Sequence, residues 1–178
     1  AASCGSDFVV VAREDGTVQA WGGNGQGQLG TQAVASSGVP ITVTGLTGIV
    51  DVAAGQDFAA ALDASGRVWT WGRNDLGQCG HSTRAATEVA GLVSGLPPIA
   101  ELALGEAHAL ARDRDGGVWA WGSGAGGRLG NGGTVDSPVP ARVRDPAGTG
   151  FLADIVTLDC AVFSYAIGAD GTLYSWGF

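Results

Sequence analysis

The Trp-Gly pair at Trp21, Trp71, Trp121 and Trp176 returns at spacings of 50, 50 and 55 residues, inside words that return with it. DGTVQAWGGNGQGQLG begins at Asp15, SGRVWTWGRNDLGQCG at Ser65, DGGVWAWGSGAGGRLG at Asp115 and DGTLYSWGF at Asp170. A period of this length means one supersecondary unit copied along the chain, each copy covering its apolar face with the next. The copies divide a single repeat domain, residues 1–178, into units of approximately 1–46, 47–96, 97–150 and 151–178, the first and last incomplete.

Within a unit the pattern is that of a β-meander. In the second, Val50-Asp51-Val52-Ala53 reads as a short strand and Gly55-Gln56-Asp57 as a turn. Phe58 to Leu62 is the next strand, Ser65-Gly66 a tight hairpin, and Val68-Trp69-Thr70-Trp71 the third strand. A loop leads to a weak fourth strand around Glu88 to Leu92. Gly16, Gly66, Gly116 and Gly171 are the hairpin glycines, placed where a turn needs positive φ. No segment sustains a 3.6-residue apolar period, so helix should be scarce.

Alternation along the third strand gives it two unequal faces. Val18, Val68, Val118 and Leu173, followed by Ala20, Thr70, Ala120 and Ser175, make the smaller one. Gln19, Trp69, Trp119 and Tyr174, followed by Trp21, Trp71, Trp121 and Trp176, make the larger. Stacked sheets would set the large face of one against the small face of its neighbour, with the four Trp-Gly tryptophans as the blade core. The expected fold is all-β, a propeller of four-stranded antiparallel blades, this chain giving a partial propeller of about four blades.

The glycines also mimic a nucleotide fingerprint, since Gly25, Gly27 and Gly30, and again Gly122, Gly124 and Gly127, fit G-x-G-x-x-G. That chemistry needs a helix opening directly behind the glycines, whereas here each run leads into a polar loop and an extended segment. The glycines are read as turns, and no cofactor is expected. A net charge of -8, with nine Arg and no Lys, argues against nucleic acid as partner. No apolar stretch approaches the ~20 residues of a membrane helix. Cys4, Cys79 and Cys160 form no disulfide framework, and Cys79-Gly80-His81 is the only close Cys/His pair, so no metal site is expected. With His81 and His108 the only histidines, nothing resembles a nucleophile-base pair, and no catalytic residue is named. Asp51 and Glu101 share a repeat position on the first strand and read as a solvated rim around the channel.

Gly55 through Leu62, Ser65 through Gly72 and Asn74 through Gly80, with counterparts in units one and three, carry a resemblance. They are similar to repeats of the regulator of chromosome condensation family, whose pattern runs Gly-x-x-His-x-x-x-Leu, Asp-Gly-x-Val-x-x-Trp-Gly, Asn-x-x-Gly-Gln-Leu-Gly. The resemblance implies a β-propeller, commonly of seven blades. This chain departs from it in four places. Phe8, Phe58 and Phe163 stand at the histidine position kept by His108; Cys160 takes the place of Gly55 and Gly105; Cys79 takes that of Leu29 and Leu129; and there are four hairpins.

Propellers carry function on their loops, so the expected activity is that of a non-enzymatic protein-interaction scaffold. Gln56, Asp57, Arg73, Asp75, Glu106 and His108 are the candidate protein-binding loop residues. The partner is expected to be protein: another subunit, a second copy or the rest of a longer chain, the absent initiator Met pointing to processing or an excerpt. The resemblance implies two further functions, nucleotide exchange on a Ran-like small GTPase and secreted microbial enzyme inhibition of the β-lactamase-inhibitor propeller type.

Overall fold

A computed structural model of the chain describes residues 1–177; Phe178, the final residue of the fourth unit, lies outside them. The chain forms four sheets, each a meander with strands in sequence order. The first holds β1 (Ala2–Cys4), β2 (Phe8–Ala12), β3 (Val18–Gly23) and β4 (Ser36–Thr42). The second holds β5 (Ile49–Ala54), β6 (Phe58–Asp63), β7 (Val68–Gly72) and β8 (Thr87–Leu92), and the third β9 (Ile99–Leu104), β10 (His108–Asp113), β11 (Val118–Gly122) and β12 (Ser137–Arg142). The fourth has three strands, β13 (Ile155–Cys160), β14 (Ser164–Gly168) and β15 (Leu173–Trp176). All pairings are antiparallel. Among the described residues the only helical turn is a 3-10 turn at Ala125–Gly127. The first unit's opening strand, expected to be mostly missing, is present as the three residues of β1 and completes its sheet.

Sheets form because the sequence alternates, and they stack because strand two is small. FVVVA of β2 is buried at every second residue, while FAAALD of β6 is buried at all six, with alanines that let neighbouring sheets approach both faces. Three apolar cores result, one between each successive pair of sheets. Trp69 and Trp71 of the second sheet lie against Val10, Val18 and Ala20 of the first, the large-on-small packing expected from the third strand. Each inner indole also finds an acceptor in the preceding blade. Trp71 Nε1 donates to the Gln28 carbonyl at 2.9 Å, Trp121 Nε1 to that of Gln78 at 2.9 Å, and Trp176 Nε1 to that of Arg128 at 2.9 Å. The first strands adjoin one another, and four sheets share only three cores. The molecule is therefore an open partial propeller.

Two local expectations are corrected. The hairpins are three-residue loops, not tight two-residue turns: Asp63 N–H donates to the Arg67 carbonyl at 3.0 Å and Gly66 N–H to the Asp63 carbonyl at 2.9 Å. Gly66 supplies the positive φ of +92° that closes such a loop. Asp63 fixes the loop length. Its Oδ1 accepts from Ser65 N and Arg67 N at 2.9 and 3.0 Å. Burial opposes the charged form, yet the Ser65 hydroxyl, which donates to Oδ1 at 2.6 Å, together with these amides and the Arg67 guanidinium, holds the Asp63 carboxyl well below the usual carboxylate range.

Cys160 does not stand at the glycine position. It pairs with Ser164 as Ala54 pairs with Ala59 and Leu104 with Ala109, so Ala161 occupies the position of Gly55 and Gly105. The fourth unit's turn is one residue shorter. Elsewhere that position has no room for a side chain, because a Cβ on Gly55 would lie 2.6 Å from the Gly105 carbonyl oxygen and against the Phe58 ring. Gly55→Ala should accordingly destabilise by about 1 to 3 kcal/mol, as overpacking does. Ala161→Gly, with its exposed Cβ, should change stability by less than about 1 kcal/mol. Equal urea midpoints for the two variants would show that blade spacing does not depend on this glycine.

Candidate interaction rim

In a meander the turn between the first two strands and the loop after the third emerge at the same end. This brings Gln56, Asp57, Arg73, Asp75 and Glu106 to one rim of the partial propeller. The rim is built on a ladder of backbone hydrogen bonds running from blade to blade. Ser6 N–H donates to the Gln56 carbonyl at 3.0 Å, Gln56 N–H to that of Glu106 at 3.3 Å, and Glu106 N–H to that of Ala161 at 3.0 Å. The backbone is thus held while the Gln56 and Glu106 side chains project into solvent.

A charged cluster flanks the ladder. Arg73 grips Asp75 through two bonds, Nε to Oδ1 at 2.7 Å and Nη2 to Oδ2 at 2.8 Å, and Asp57 Oδ2 lies 3.8 Å from its Nη1. The Arg73 guanidinium holds the Asp75 carboxyl below its ordinary value. Ser6 Oγ donates across the blade boundary to the Gln56 carbonyl at 2.8 Å and to Asp57 Oδ1 at 3.0 Å. Ser6 was not singled out in the sequence, although it stands at the repeat position of Gln56 and Glu106.

His108 does not belong to this surface. Placed among the loop residues from sequence, it opens strand β10 and is fully buried. Its Nε2 lies 3.0 Å from Ser164 Oγ, and that hydroxyl donates to the Arg128 carbonyl at 2.8 Å. His108 Nε2 is therefore the donor to Ser164, and Nδ1 is left without a partner. The pair stands where the preceding blade boundary has Phe58 and Ala109, both buried in one apolar core. Sequence reasoning found no nucleophile-base pair, and the fold does bring a serine to an imidazole. Both groups are sealed from solvent, and the serine proton is directed at a main-chain carbonyl.

Glu101 also departs from its expected place in a solvated rim. Its Oε2 accepts from Arg112 Nε at 2.8 Å and its Oε1 from Thr157 Oγ1 at 2.7 Å, clipping the third blade to the fourth. Asp51 Oδ1 accepts from the neighbouring Val52 N–H at 2.9 Å. The hairpin glycines Gly16, Gly116 and Gly171 all take positive φ, as Gly66 does. Trp71 and Trp121 are fully buried, whereas Trp21 and Trp176 are partly exposed.

The glycine loops direct their amides inward. Asn24 Oδ1 accepts from Leu29 N–H at 2.9 Å and Asn74 Oδ1 from Cys79 N–H at 2.9 Å, while Gly27 and Gly30 N–H donate to loop carbonyls. This is turn chemistry, without the array of outward amides that a phosphate needs. Burial pushes the Cys79 thiol up to about 12, and no group of three or more metal-ligating side chains converges among the described residues. No helix among them is long and apolar enough to cross a membrane.

Models of the regulator of chromosome condensation (RCC1) repeat match residues 15–62, 65–112 and 115–163, and again residues 1–28, 49–78 and 99–128. No curated protein matches the chain significantly. Among solved structures, human WBSCR16 superposes with a TM-score of 0.87 at 24% identity, over 99% of this chain and 46% of that one. Yeast RCC1 (Prp20), solved bound to Kap60, gives 0.86 at 24% identity over 100% and 43%. Prp20p from Saccharomyces cerevisiae, described with its binding properties to Gsp1p and histones, gives 0.84 at 25% identity over 100% and 45%. The chain spans less than half the length of each.

Proposed function

We propose that this chain, which belongs to the regulator of chromosome condensation repeat family, is a non-enzymatic scaffold that docks another protein on the rim of Gln56, Asp75 and Glu106. The observation that carries this reading is the ladder from Ser6 to Ala161. It fixes the backbone across four blades while leaving solvent-facing side chains at repeat spacing, which is how a rigid fold presents a binding surface. The yeast relative Prp20 was solved with a protein bound, which supports a protein partner here. Carboxylates outnumber guanidinium groups among Asp57, Arg73, Asp75 and Glu106, so the complementary surface carries basic residues.

Charge reversal tests the reading. Asp75→Lys with Glu106→Lys should abolish co-purification of the partner, while Asp15→Lys with Asp115→Lys at the hairpins of the opposite rim should leave it intact. The same preparations tested for nucleotide release from a small GTPase and for β-lactamase inhibition distinguish docking from those activities. Equal partner recovery with the two double variants would overturn the rim assignment.

A further inference from the structure

We infer that β8, the outer strand of the second blade, is a docking edge that accepts an extended, positively charged peptide segment of a partner protein by strand addition. The inference goes beyond the rim, because β8 lies on the circumference and uses none of the rim side chains.

Outer strands present unpaired backbone groups, and in the three four-stranded sheets of the described residues two of the outer strands are visibly blocked. In β4, Ser37 Oγ donates to the Val39 carbonyl at 2.6 Å and accepts from Val39 N–H at 3.3 Å, and Pro40 follows with no N–H. In β12, Ser137 Oγ makes the same two bonds with Val139 at 2.7 and 3.4 Å, and Pro138 and Pro140 flank the valine. The equivalent residues of β8 are Thr87, Glu88, Val89 and Ala90, as the matching pairs Gln19–Thr42, Trp69–Leu92 and Trp119–Arg142 establish. Here both devices are missing. Alanine stands where the sister strands have proline, and the Thr87 hydroxyl turns away from Val89 toward the Ala85 carbonyl and His81 Nδ1, each at 3.4 Å.

The second blade alone also supports its outer strand from beneath. His81 Nε2 lies 2.8 Å from Thr70 Oγ1 and 3.1 Å from the Gly91 carbonyl. The imidazole fills the space that a Cβ at Gly91 would need, 2.7 Å from its Cε1. The imidazole thereby backs the strand beyond the register shift at residues 88–90, with Val89 56% and Leu92 44% exposed upon it.

An edge of this kind pairs with extended polypeptide, whose main chain supplies the matching donors and acceptors. The net charge of -8 sets two copies of this chain against each other, and Glu88 places a carboxylate on the strand itself. The segment that fits is therefore basic, with branched apolar residues to cover Val89 and Leu92.

The test uses an acetylated, amidated octapeptide of alternating lysine, valine and threonine, titrated onto the chain with amide hydrogen exchange as readout. Saturable binding should slow exchange at residues 87–92. Ala90→Pro, which places in β8 the residue found at that position in β4 and β12, should weaken binding at least about tenfold with the thermal midpoint retained. Should that variant fail to fold, a peptide N-methylated on alternate amides makes the same test on wild-type protein and should lose binding. Ser137→Ala with Pro138→Glu and Pro140→Ala, which removes the hydroxyl and both prolines and supplies the counterpart of Glu88, should conversely open a second site on the third blade. Unchanged affinity for Ala90→Pro or the N-methylated peptide, or protection elsewhere, would overturn the proposal. Equal affinity for a peptide with glutamate in place of lysine would overturn it too, as would self-association through β8 without peptide, which assigns the edge to a second copy.

Discussion

Trp71→Ala should lower the free energy of unfolding by about 3 to 5 kcal/mol, the range of large-to-small changes at fully enclosed aromatic sites. Trp71 has 0% exposure and closes the core between the first two sheets against Val10, Val18 and Ala20. Its loss also strips the Gln28 carbonyl of the indole donor that ties one blade to the next. Trp21 holds the same repeat position but stands on the outer face of the first sheet, partly exposed. Trp21→Ala should therefore cost less than about 2 kcal/mol, since little apolar area leaves contact. Arg73→Ala, which breaks an exposed ion pair, should cost no more than about 1 kcal/mol. Urea denaturation with unchanged m-values ranks the three; a Trp71→Ala midpoint matching that of Trp21→Ala would mean that burial between sheets contributes nothing special.

That contrast marks how far the sequence alone reaches. The two faces of the third strand were legible because side chains alternate with period two and the words repeat in phase, so Trp69 and Trp71 opposite small residues followed directly. What one residue does inside its own strand is local information. The position of Cys160 was misread because local alignment cannot register a deletion in the following turn. Only its pairing with Ser164 places Ala161 at the glycine site. The Glu101–Thr157 clip and the His108–Ser164 pair were illegible for a related reason, as each joins residues 56 apart on different blades. In both, the partner departs from the residue expected at its phase: Thr157 stands at the acidic position of Asp51 and Glu101, and Ser164 at that of Ala59 and Ala109. Comparing departures in adjacent units, histidine for Phe58 and serine for Ala109, would have revealed the pair.

The buried pair makes the fold sensitive to acid. Burial, and then the charge of Arg128, lower the pKa of His108 from 6.5 to about 4. The neutral ring suits its site, since Nε2 donates to Ser164, whereas a proton on Nδ1 would place a second donor where no acceptor waits. As the pH falls, the unfolded chain takes up this proton near 6.5 and the folded chain only near 4, so between those values the unfolded state binds more protons. The stability linked to His108 is thus complete above about pH 6.5 and is lost as the pH falls through 4. The slope is ~1.4 kcal/mol per pH unit and the total about 3 kcal/mol. Carboxylates such as Asp63, whose range is depressed, lose their own contribution only at lower pH, so a bare acid titration would mix the two effects. The separating variant is His108→Phe with Ser164→Ala, which installs the Phe58–Ala109 pair of the preceding blade boundary. At pH 7.5 its stability should lie within about 1.5 kcal/mol of wild type, as volume-conserving core exchanges do. Between pH 6.5 and 4.5 the wild type should fall progressively behind it, by about 2 to 3 kcal/mol at the acid end. Guanidinium denaturation of both proteins across that range measures the difference, and parallel stability curves would show that the proton on His108 is not linked to folding.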